Sequence, residues 1–256
     1  MNFGICTLNV IPVRSEANDQ SEMVTQILFG ETFVVTDIED KWIRIILDFD
    51  SYEGWVNKNQ IVELSKDDYD NTKNSNSYTL NDLITYISRA NNDLQIISLG
   101  ASLPFYNSNS FQIAEEKYGF EGSVNLGKNL KKNLIRTAHL FLNTPYLWGG
   151  RTPFGIDCSG FTQMVYKVNG YKLFRDASQQ ASQGEVLSFI EESEPGDLAF
   201  FDNEEGEIIH VGIILDNNYI IHCDGKVRID RLDHSGIYNV DTKRHTHKLR
   251  IMKKII

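Results

Sequence analysis

One of the three cysteines in the 256-residue chain, Cys158, lies in a setting that suits catalysis. The stretch before it, YLWGGRTPFGI, is rich in glycine, which would let backbone approach a substrate closely. The stretch after it, SGFTQMVYKVNG, has the apolar spacing of an α-helix. A thiol in the first turn of a helix faces unpaired N–H groups and the positive end of the helix dipole, which favour the thiolate. We therefore predict a nucleophile of lowered pKa at Cys158, with Asp157 as the N-cap.

Two histidines in the segment IIHVGIILDNNYIIHCDG could supply the base that a thiol nucleophile needs. The segment predicts a hairpin of two apolar strands around a turn at residues 216–218. Pairing centred on residue 216 makes His210 and His222 direct cross-strand neighbours, with Cβ atoms about 5 Å apart on one face of the sheet. A slip of one residue would place them on opposite faces. The spacing predicts a base with a second imidazole to orient it.

These residue types also allow interpretations without catalysis. Cys158 could be a small core residue, and the two histidines could form half of a metal site. Cys223 follows His222 and so points to the other face of the sheet, and no other ligand with suitable spacing lies nearby. We expect no metal site and no cofactor. The other cysteines and histidines are interpreted as structural or surface residues: Cys6 and Cys223 in strands, His139 on a helix, His234 without a signal, and His245 and His247 on one face of a solvated basic strand that could otherwise bind a metal.

The elements that position Cys158 and the histidines begin near residue 128. The stretch KNLKKNLIRTAHLFLNT predicts an amphipathic helix that ends before Pro145, and SGFTQMVYKVNG predicts a second helix that stops at Gly170. Four strand-like runs follow, GDLAFFD, HVGIILD, YIIHCD and HKLRIMKKI. Helices followed by antiparallel strands predict an α+β domain over residues 128–256.

The N-terminal half predicts two small β-rich regions. Short β-branched and aromatic runs such as TFVVTDIE and WIRIILD fill residues 1–64 and favour a small barrel. Residues 65–77, SKDDYDNTKNSNS, are polar and are predicted to form a linker. Residues 78–127 contain further strand-like runs, preceded by TLNDLITYISRA, whose apolar spacing predicts a helix. An aromatic residue followed by EG near the end of each region indicates two related barrels.

Composition excludes several classes of partner. A formal net charge of −10 argues against nucleic acid and anionic membranes as partners, and it suits a substrate with a free amine. The chain has no run of about 18 apolar residues, and its first residues, MNFGICTLNVIPVRSE, lack the pattern of a signal peptide. Three scattered cysteines do not make a disulfide framework. We expect a cytoplasmic monomer, or a secreted or periplasmic protein if a signal segment has been removed.

Five motifs in the order TPYLWGG, DCSGF, PGDLAFF, HVGIIL and IIH resemble those of the NlpC-type cell-wall cysteine peptidases. The resemblance covers roughly residues 130–256 and implies a papain-like domain. The N-terminal half resembles the paired bacterial SH3-like domains of the γ-D-glutamyl-L-diamino acid endopeptidases, a branch similar to dipeptidyl-peptidase VI. The implied fold class is α+β, with an NlpC-type domain preceded by two small all-β SH3-like barrels.

The resemblance implies a role for each catalytic residue. Cys158 would be the nucleophile, His210 the general base and acid, and His222 the third, orienting residue. Tyr146 matches the family tyrosine near the oxyanion, where its hydroxyl and the Cys158 N–H would stabilise a tetrahedral intermediate. Tyr146 could instead be an aromatic side chain packed under its loop.

Substrate-binding residues also follow from the resemblance. Asp176 of RDASQQ matches the aspartate that binds a free amine in this branch, and Glu22 and Tyr52 of the first SH3-like domain are matched through short segments. Without a binding role, Asp176 would be a helix cap, Glu22 a surface charge and Tyr52 a packing residue. Three further motif residues are assigned to the substrate: Asp157, Ser159 and Trp148.

The expected reaction is hydrolysis of the amide between the γ-carboxyl group of D-Glu and a diamino acid. The substrate would be a murein tripeptide with a free N-terminal L-Ala, and the product L-Ala-γ-D-Glu, as in the recycling of cell-wall peptides. Two alternatives stay open: a catalytically silent cell-wall binding module, and a thiol amidase or acyltransferase on the same fold. The sequence leaves open whether the third residue of the peptide is diaminopimelate or Lys.

Overall fold

The chain forms two compact units, Met1–Lys128 and Asn129–Ile256, and the computed structural model describes residues 2–76 and 78–256. The division lies one residue after the boundary predicted from the sequence. None of the helices in these described ranges is long and apolar enough to span a bilayer.

The first part of the N-terminal unit is an antiparallel sheet in the order β3-β2-β6-β5-β4-β1-β7. In β5 the side chains of Ile43 and Ile45 are buried while Arg44 between them is exposed, the alternation expected of a strand with one face on a core. A short 3₁₀ turn, Lys58–Gln60, precedes the last strand. The strands are β1 Phe3–Ile5, β2 Val10–Arg14, β3 Met23–Leu28, β4 Thr32–Glu39, β5 Trp42–Leu47, β6 Glu53–Asn57 and β7 Val62–Glu63.

Residues 65–76 do not form the predicted linker. They contain helix α1, Lys66–Asn74, which Ser65 caps by accepting a hydrogen bond from the Asp68 N–H. Tyr69 is the reason that this polar segment is ordered, because its ring is buried and stacks on Phe3 with centroids 4.3 Å apart. The last residue of the predicted linker, Ser77, lies outside the described residues.

The second β-rich region forms two small sheets, in the orders β10-β9-β13-β12 and β11-β8-β14. The helix predicted for TLNDLITYISRA is wrong, since its second half is strand β9, where β-branched residues pair with β10. Phe29, between β3 and β4, contacts Phe111 and Tyr118 edge-on at 5.7 Å, so both β-rich regions share one core. The strands are β8 Tyr78–Leu80, β9 Ile84–Ser88, β10 Leu94–Ser98, β11 Ser102–Leu103, β12 Ser110–Ile113, β13 Glu116–Phe120 and β14 Val124–Asn125.

The C-terminal unit is α+β, as predicted. Its main sheet is antiparallel in the order β17-β23-β18-β19-β20-β21-β22, and β22 also pairs with β23. The helices are α2 Lys132–Leu140, α3 Cys158–Val168 and α4 Ala177–Gln180, with 3₁₀ turns at Ile190–Glu192 and Asp216–Asn218. The strands are β15 Arg151–Thr152, β16 Gly155–Ile156, β17 Glu185–Leu187, β18 Leu198–Asp202, β19 Ile208–Leu215, β20 Tyr219–Asp224, β21 Lys226–Asp233, β22 Gly236–Asn239 and β23 Arg244–Lys254.

Helix α3 is the central helix of this unit. Every one of its residues is buried, and it packs against α2 on one side and against β19 and β20 on another. The helix ends at Val168 with Asn169 as its C-cap, and Gly170 follows in the left-handed conformation that the sequence predicts for a C-terminal stop. This packing fixes the first turn of α3, where Cys158 lies, against the strands that carry both histidines.

Candidate active site

Asp157 anchors the start of α3. Its side chain accepts hydrogen bonds from the Gly160 N–H at 2.6 Å and from the Gly149 N–H at 2.8 Å, which confirms the predicted N-cap. Glycines around this cap let two stretches of backbone approach each other closely. A Cβ atom on Gly160 would lie 2.3 Å from the carbonyl oxygen of Gly150.

A buried arginine holds the cap in place. Arg175 is 1% exposed and donates through both terminal nitrogens to Asp157, at 3.0 and 2.5 Å, and to Ser159 Oγ at 2.9 Å. The guanidinium of Arg175 presents two parallel N–H donors that match the two oxygens of the Asp157 carboxylate. The two buried charges therefore neutralise each other. Asp157 and Ser159, predicted to bind substrate, are themselves buried in this network, and their contact with substrate stays a prediction.

The pKa of the Cys158 thiol is raised, whereas the sequence predicted a lowered pKa. Burial of the thiol raises its pKa to about 12, and the charge of Asp157 adds to that effect. The backbone N–H groups of Val211 and Ser159 and the charge of Arg175 act in the other direction but do not outweigh burial. The resting group is therefore a thiol, and a neighbouring base has to take its proton. Contact with the backbone of Val211 places the sulfur beside the residue that follows His210.

The two histidines meet on one face of the sheet, although not in the predicted register. His222 lies opposite Gly212, two residues from His210, because the hairpin turns around residue 217 and not 216. A register shift of two residues keeps the side chains of His210 and His222 on the same face of the sheet. His210 Nε2 lies 2.9 Å from His222 Nδ1, and the ring planes are perpendicular. The predicted base and orienting imidazole are therefore in hydrogen-bonding contact.

His210 is neutral in this environment. Burial of the imidazole lowers its pKa well below the ordinary value, and the neighbouring rings of His222 and His247 lower it further. Because Nε2 contacts His222, Nδ1 is the ring nitrogen of His210 that is left for a second partner. A neutral imidazole next to a neutral thiol can accept the proton as the sulfur attacks.

The sequence interpretation missed His247, which stacks on His210 with centroids 4.2 Å apart at an angle of 26°. His245 and His247 were predicted on one strand face, but β23 has a bulge between them. His245 pairs with Tyr238 and His247 with Ile237, so their side chains point to opposite faces. His245 instead contacts the exposed Asp233, with Nε2 2.8 Å from Oδ2. A bulge leaves no signal in the spacing of residues.

Comparison with known proteins decides the family. The profile of the NlpC/P60 family matches residues 143–246, and that of the bacterial dipeptidyl-peptidase Sh3 domain matches residues 13–61. The gamma-D-glutamyl-L-lysine dipeptidyl-peptidase of Bacillus subtilis (strain 168) is 31% identical over 250 residues, which span 86% of this chain and 74% of that protein. The chain belongs to the NlpC/P60 family. The chain is accordingly a cysteine peptidase, and the predicted family and enzyme class are confirmed.

Two further similarities extend over most of this NlpC/P60 peptidase. Dipeptidyl-peptidase 6 of Lysinibacillus sphaericus is 26% identical over 259 residues, covering 86% of this chain and 88% of that protein. The crystal structure of an NlpC/P60 family protein from Bacillus cereus ATCC 10987 has a TM-score of 0.83 over 99% of both chains, at 18% identity. The predicted fold class, with SH3-like and papain-like domains, is confirmed.

In this NlpC/P60 peptidase Tyr146 lies on the loop that leads from α2 towards Cys158. Its N–H donates to the carbonyl oxygen of Gly225 at 3.0 Å, and its backbone forms an isolated bridge with Ile156. Burial raises the pKa of its hydroxyl, and the nearby Cys158 and Asp157 raise it further, so the hydroxyl is protonated and can donate. The side chain is 38% exposed, so it is not packed under its loop. Trp148, on the same loop, is 60% exposed.

The remaining predicted substrate residues lie in different places. Asp176 is the N-cap of α4 and is half-buried, and its N–H donates to Gln179 Oε1 at 3.2 Å. Glu22 is exposed at the start of β3, and Tyr52 is half-buried against the core of the first sheet. The alternative roles of cap, surface charge and packing residue therefore describe their local structure. Binding of a substrate amine by these three residues stays a prediction.

Proposed function

We propose that this peptidase cleaves the amide between γ-D-Glu and the diamino acid of murein peptides with a free N-terminal L-Ala, and releases L-Ala-γ-D-Glu for recycling. The observation that carries the proposal is the contact of 2.9 Å between His210 and His222 beside the thiol at the start of α3. The relative from Bacillus subtilis, a gamma-D-glutamyl-L-lysine dipeptidyl-peptidase, supports the choice of bond.

The reaction uses the residues of the C-terminal unit in sequence. The Cys158 thiol gives its proton to His210 Nδ1, and the sulfur attacks the γ-carbonyl carbon of D-Glu. The Cys158 N–H and the Tyr146 hydroxyl donate hydrogen bonds to the oxyanion. His210 then returns the proton to the amine of the diamino acid, which leaves. Water activated by His210 cleaves the thioester and restores the thiol.

Recognition of the free amine is the second part of this proposal. An ammonium group that leaves water needs carboxylate or hydroxyl partners, and Asp176, Glu22 and Tyr52 are the residues that resemble the amine-binding set of the branch. The net charge of −10 favours a cationic terminus over a neutral one. The cytoplasmic location and the monomeric state stay predictions.

The test compares turnover of L-Ala-γ-D-Glu-L-Lys and its diaminopimelate counterpart with turnover of the N-acetylated peptides. We expect cleavage of the free peptides only, with L-Ala-γ-D-Glu as the product in a mass spectrum. Cys158→Ala should abolish turnover, while Cys6→Ala, which removes a buried thiol of the other unit, should retain it. Equal cleavage of blocked peptides would refute amine recognition. With a muropeptide as substrate, cleavage of the bond between glycan and peptide in place of the γ-D-Glu bond would indicate an amidase.

A further inference from the structure

The hydrogen-bonded chain that starts at His210 does not end at His222. His222 Nε2 lies 3.1 Å from Oδ2 of Asp230 on the neighbouring strand β21. Both side chains are fully buried. An aspartate buried beside an imidazole that itself contacts the base is well placed to control which ring nitrogens carry protons. The three residues all lie in the C-terminal unit, on strands that pair directly.

Asp230 is held as a carboxylate by donors on both of its oxygens. Arg228 donates to Oδ2 through Nε at 2.6 Å and to Oδ1 through Nη2 at 3.0 Å, and the Val240 N–H donates to Oδ1 at 3.0 Å. Burial alone would raise the pKa of this carboxyl, but the hydrogen bonds from His222, Arg228 and Val240 lower it to about 2. Arg228 also donates to Asp241 at 2.8 Å, which orients the guanidinium.

The negative charge of Asp230 determines which ring nitrogens of His222 and His210 carry protons. A carboxylate only accepts hydrogen bonds, so His222 must carry its proton on Nε2. In the tautomer protonated only on Nε2, His222 has a lone pair on Nδ1, and His210 donates to it from Nε2. That leaves Nδ1 of His210 unprotonated, which is the state that can receive the proton of the Cys158 thiol.

We propose that Asp230 is a positioning residue that sets the tautomers of His222 and His210, so that His210 presents an unprotonated Nδ1 to Cys158. The proposal rests on the use of Cys158 and His210 in the proposed function, but it does not depend on which peptide is the substrate. Asp230 acts through His222 and does not itself contact the reacting atoms.

An asparagine at position 230 would reverse the direction of the hydrogen bonds that link this residue to His222 and His210. Two donors already face each oxygen of Asp230, so the amide introduced by Asp230→Asn would have to direct its N–H₂ group at one pair of donors. Of the four donors only Nε2 of His222 can become an acceptor, so the N–H₂ group faces His222 and the proton of His222 moves to Nδ1. His210 would in turn carry its proton on Nδ1 and could not accept the thiol proton. In a serine-protease triad, where the aspartate contacts the base directly, its replacement by asparagine costs about 10⁴-fold in rate through the same change of tautomer.

The first experiment measures alkylation of Cys158 by iodoacetamide against pH, with the modified site identified by mass spectrometry. Because alkylation needs no peptide, its result is independent of the proposed substrate. We expect Asp230→Asn to slow alkylation near pH 7 by about 10- to 100-fold and to shift the profile to higher pH. With the tripeptide, kcat should fall by a similar factor while KM is unchanged.

The chain offers a matched control on the same strand. Asp233→Asn also removes a carboxylate in contact with a histidine, but Asp233 and His245 are exposed and away from His210. We expect this variant to keep the alkylation profile of the wild type. A folded Asp230→Asn protein with the wild-type profile would overturn the proposal.

Other titratable and charged groups lie around Cys158, His210, His222 and Asp230, and they have to stay unchanged in the comparison. They come from several elements: Asp157 at the start of α3, Arg175 before α4, Asp224 on β20, Arg228 on β21, Asp241 after β22, and His247 on β23. Neither Asp230→Asn nor Asp233→Asn alters any of them.

A second measurement needs no variant at Asp230 and so remains decisive if that variant does not fold. Nitrogen-15 chemical shifts of the histidine rings in the wild-type protein distinguish protonated from unprotonated nitrogens, with assignments from His222→Gln and His210→Gln. The proposal requires His222 to be protonated on Nε2 and unprotonated on Nδ1, whether or not His210 has taken the thiol proton. The opposite tautomer of His222 would contradict it.

Discussion

At the scale of single residues, burial outweighs the helix dipole at Cys158. The position at the start of α3 made a low pKa the natural expectation, yet loss of water around the sulfur raises the pKa to about 12. Burial also lowers the pKa of His210, so both partners are neutral at rest. The thiolate therefore has to form together with the protonated base, in one proton transfer.

The depressed pKa of His210 has a consequence for stability. Below the ordinary histidine pKa of about 6.5, the unfolded chain binds a proton that the folded chain does not. The free energy of unfolding should therefore decrease as pH falls from about 7 to about 5.5, with a slope of up to about 1.4 kcal/mol per pH unit for one proton. Urea unfolding at several pH values measures the slope. His210→Gln should reduce it, and His139→Gln, at an exposed position, should not.

The ring of His247 is expected to hold His210 in place by stacking. Aromatic contacts of this kind contribute about 1 kcal/mol, so His247→Ala should lower kcat about fivefold with little change in KM. His247→Phe keeps the stacked ring and should retain most of the activity. Equal activity in the alanine variant and the wild type would show that the stack does not position the base. Steady-state kinetics on the tripeptide provides the measurement.

At the scale of elements, the β19–β20 hairpin and the start of α3 carry the catalytic geometry. The sequence predicted both elements, the N-cap and the shared face of the two histidines, because apolar alternation and turn residues are local signals. It missed the register, which is set by Asn217 and Asn218, both in the left-handed conformation with φ of 58° and 60°. That conformation moves the centre of the turn by one residue.

Gly212 on β19 leaves room for His222. The two residues are paired, and a Cβ atom on Gly212 would lie 2.9 Å from the Cβ of His222. Gly212→Ala should push His222 away from His210 and lower kcat, with a loss of about 1–3 kcal/mol in stability from overpacking. Gly206→Ala is the control, because open space surrounds Gly206 and only its positive φ opposes the change, at about 1 kcal/mol. Similar kcat values in both variants would contradict this role.

Contacts between residues far apart in the chain could not be predicted from the sequence. The segment of α1 looked like a linker, because its single buried aromatic residue, Tyr69, finds its partner Phe3 more than sixty positions earlier in the chain. Arg175 and Asp230 were likewise missed, since a charged residue reveals its role only when burial and a partner are known. The bulge in β23 turned His247 towards His210 against the alternation that its spacing predicted.

At the scale of the whole molecule, the chain combines a β-rich N-terminal unit with an α+β peptidase unit. The second unit contains Cys158, His210, His222 and Asp230. Profiles of the peptidase and of the SH3 domain match one unit each. The order of the motifs in the sequence was sufficient to predict this organisation. Specificity for a free amine is a property of the whole protein, and it is tested by comparing the turnover of free and N-acetylated tripeptides.

The central claim is that the Cys158 sulfur attacks the γ-D-glutamyl carbonyl, and trapping the covalent intermediate tests it most directly. A reaction with L-Ala-γ-D-Glu-L-Lys is quenched with acid, digested and analysed by mass spectrometry, beside the same reaction with Cys158→Ala. The account predicts an L-Ala-γ-D-Glu adduct on the peptide that contains Cys158, and neither adduct nor turnover in the variant. An adduct on another residue, or cleavage of the tripeptide by Cys158→Ala, would contradict it.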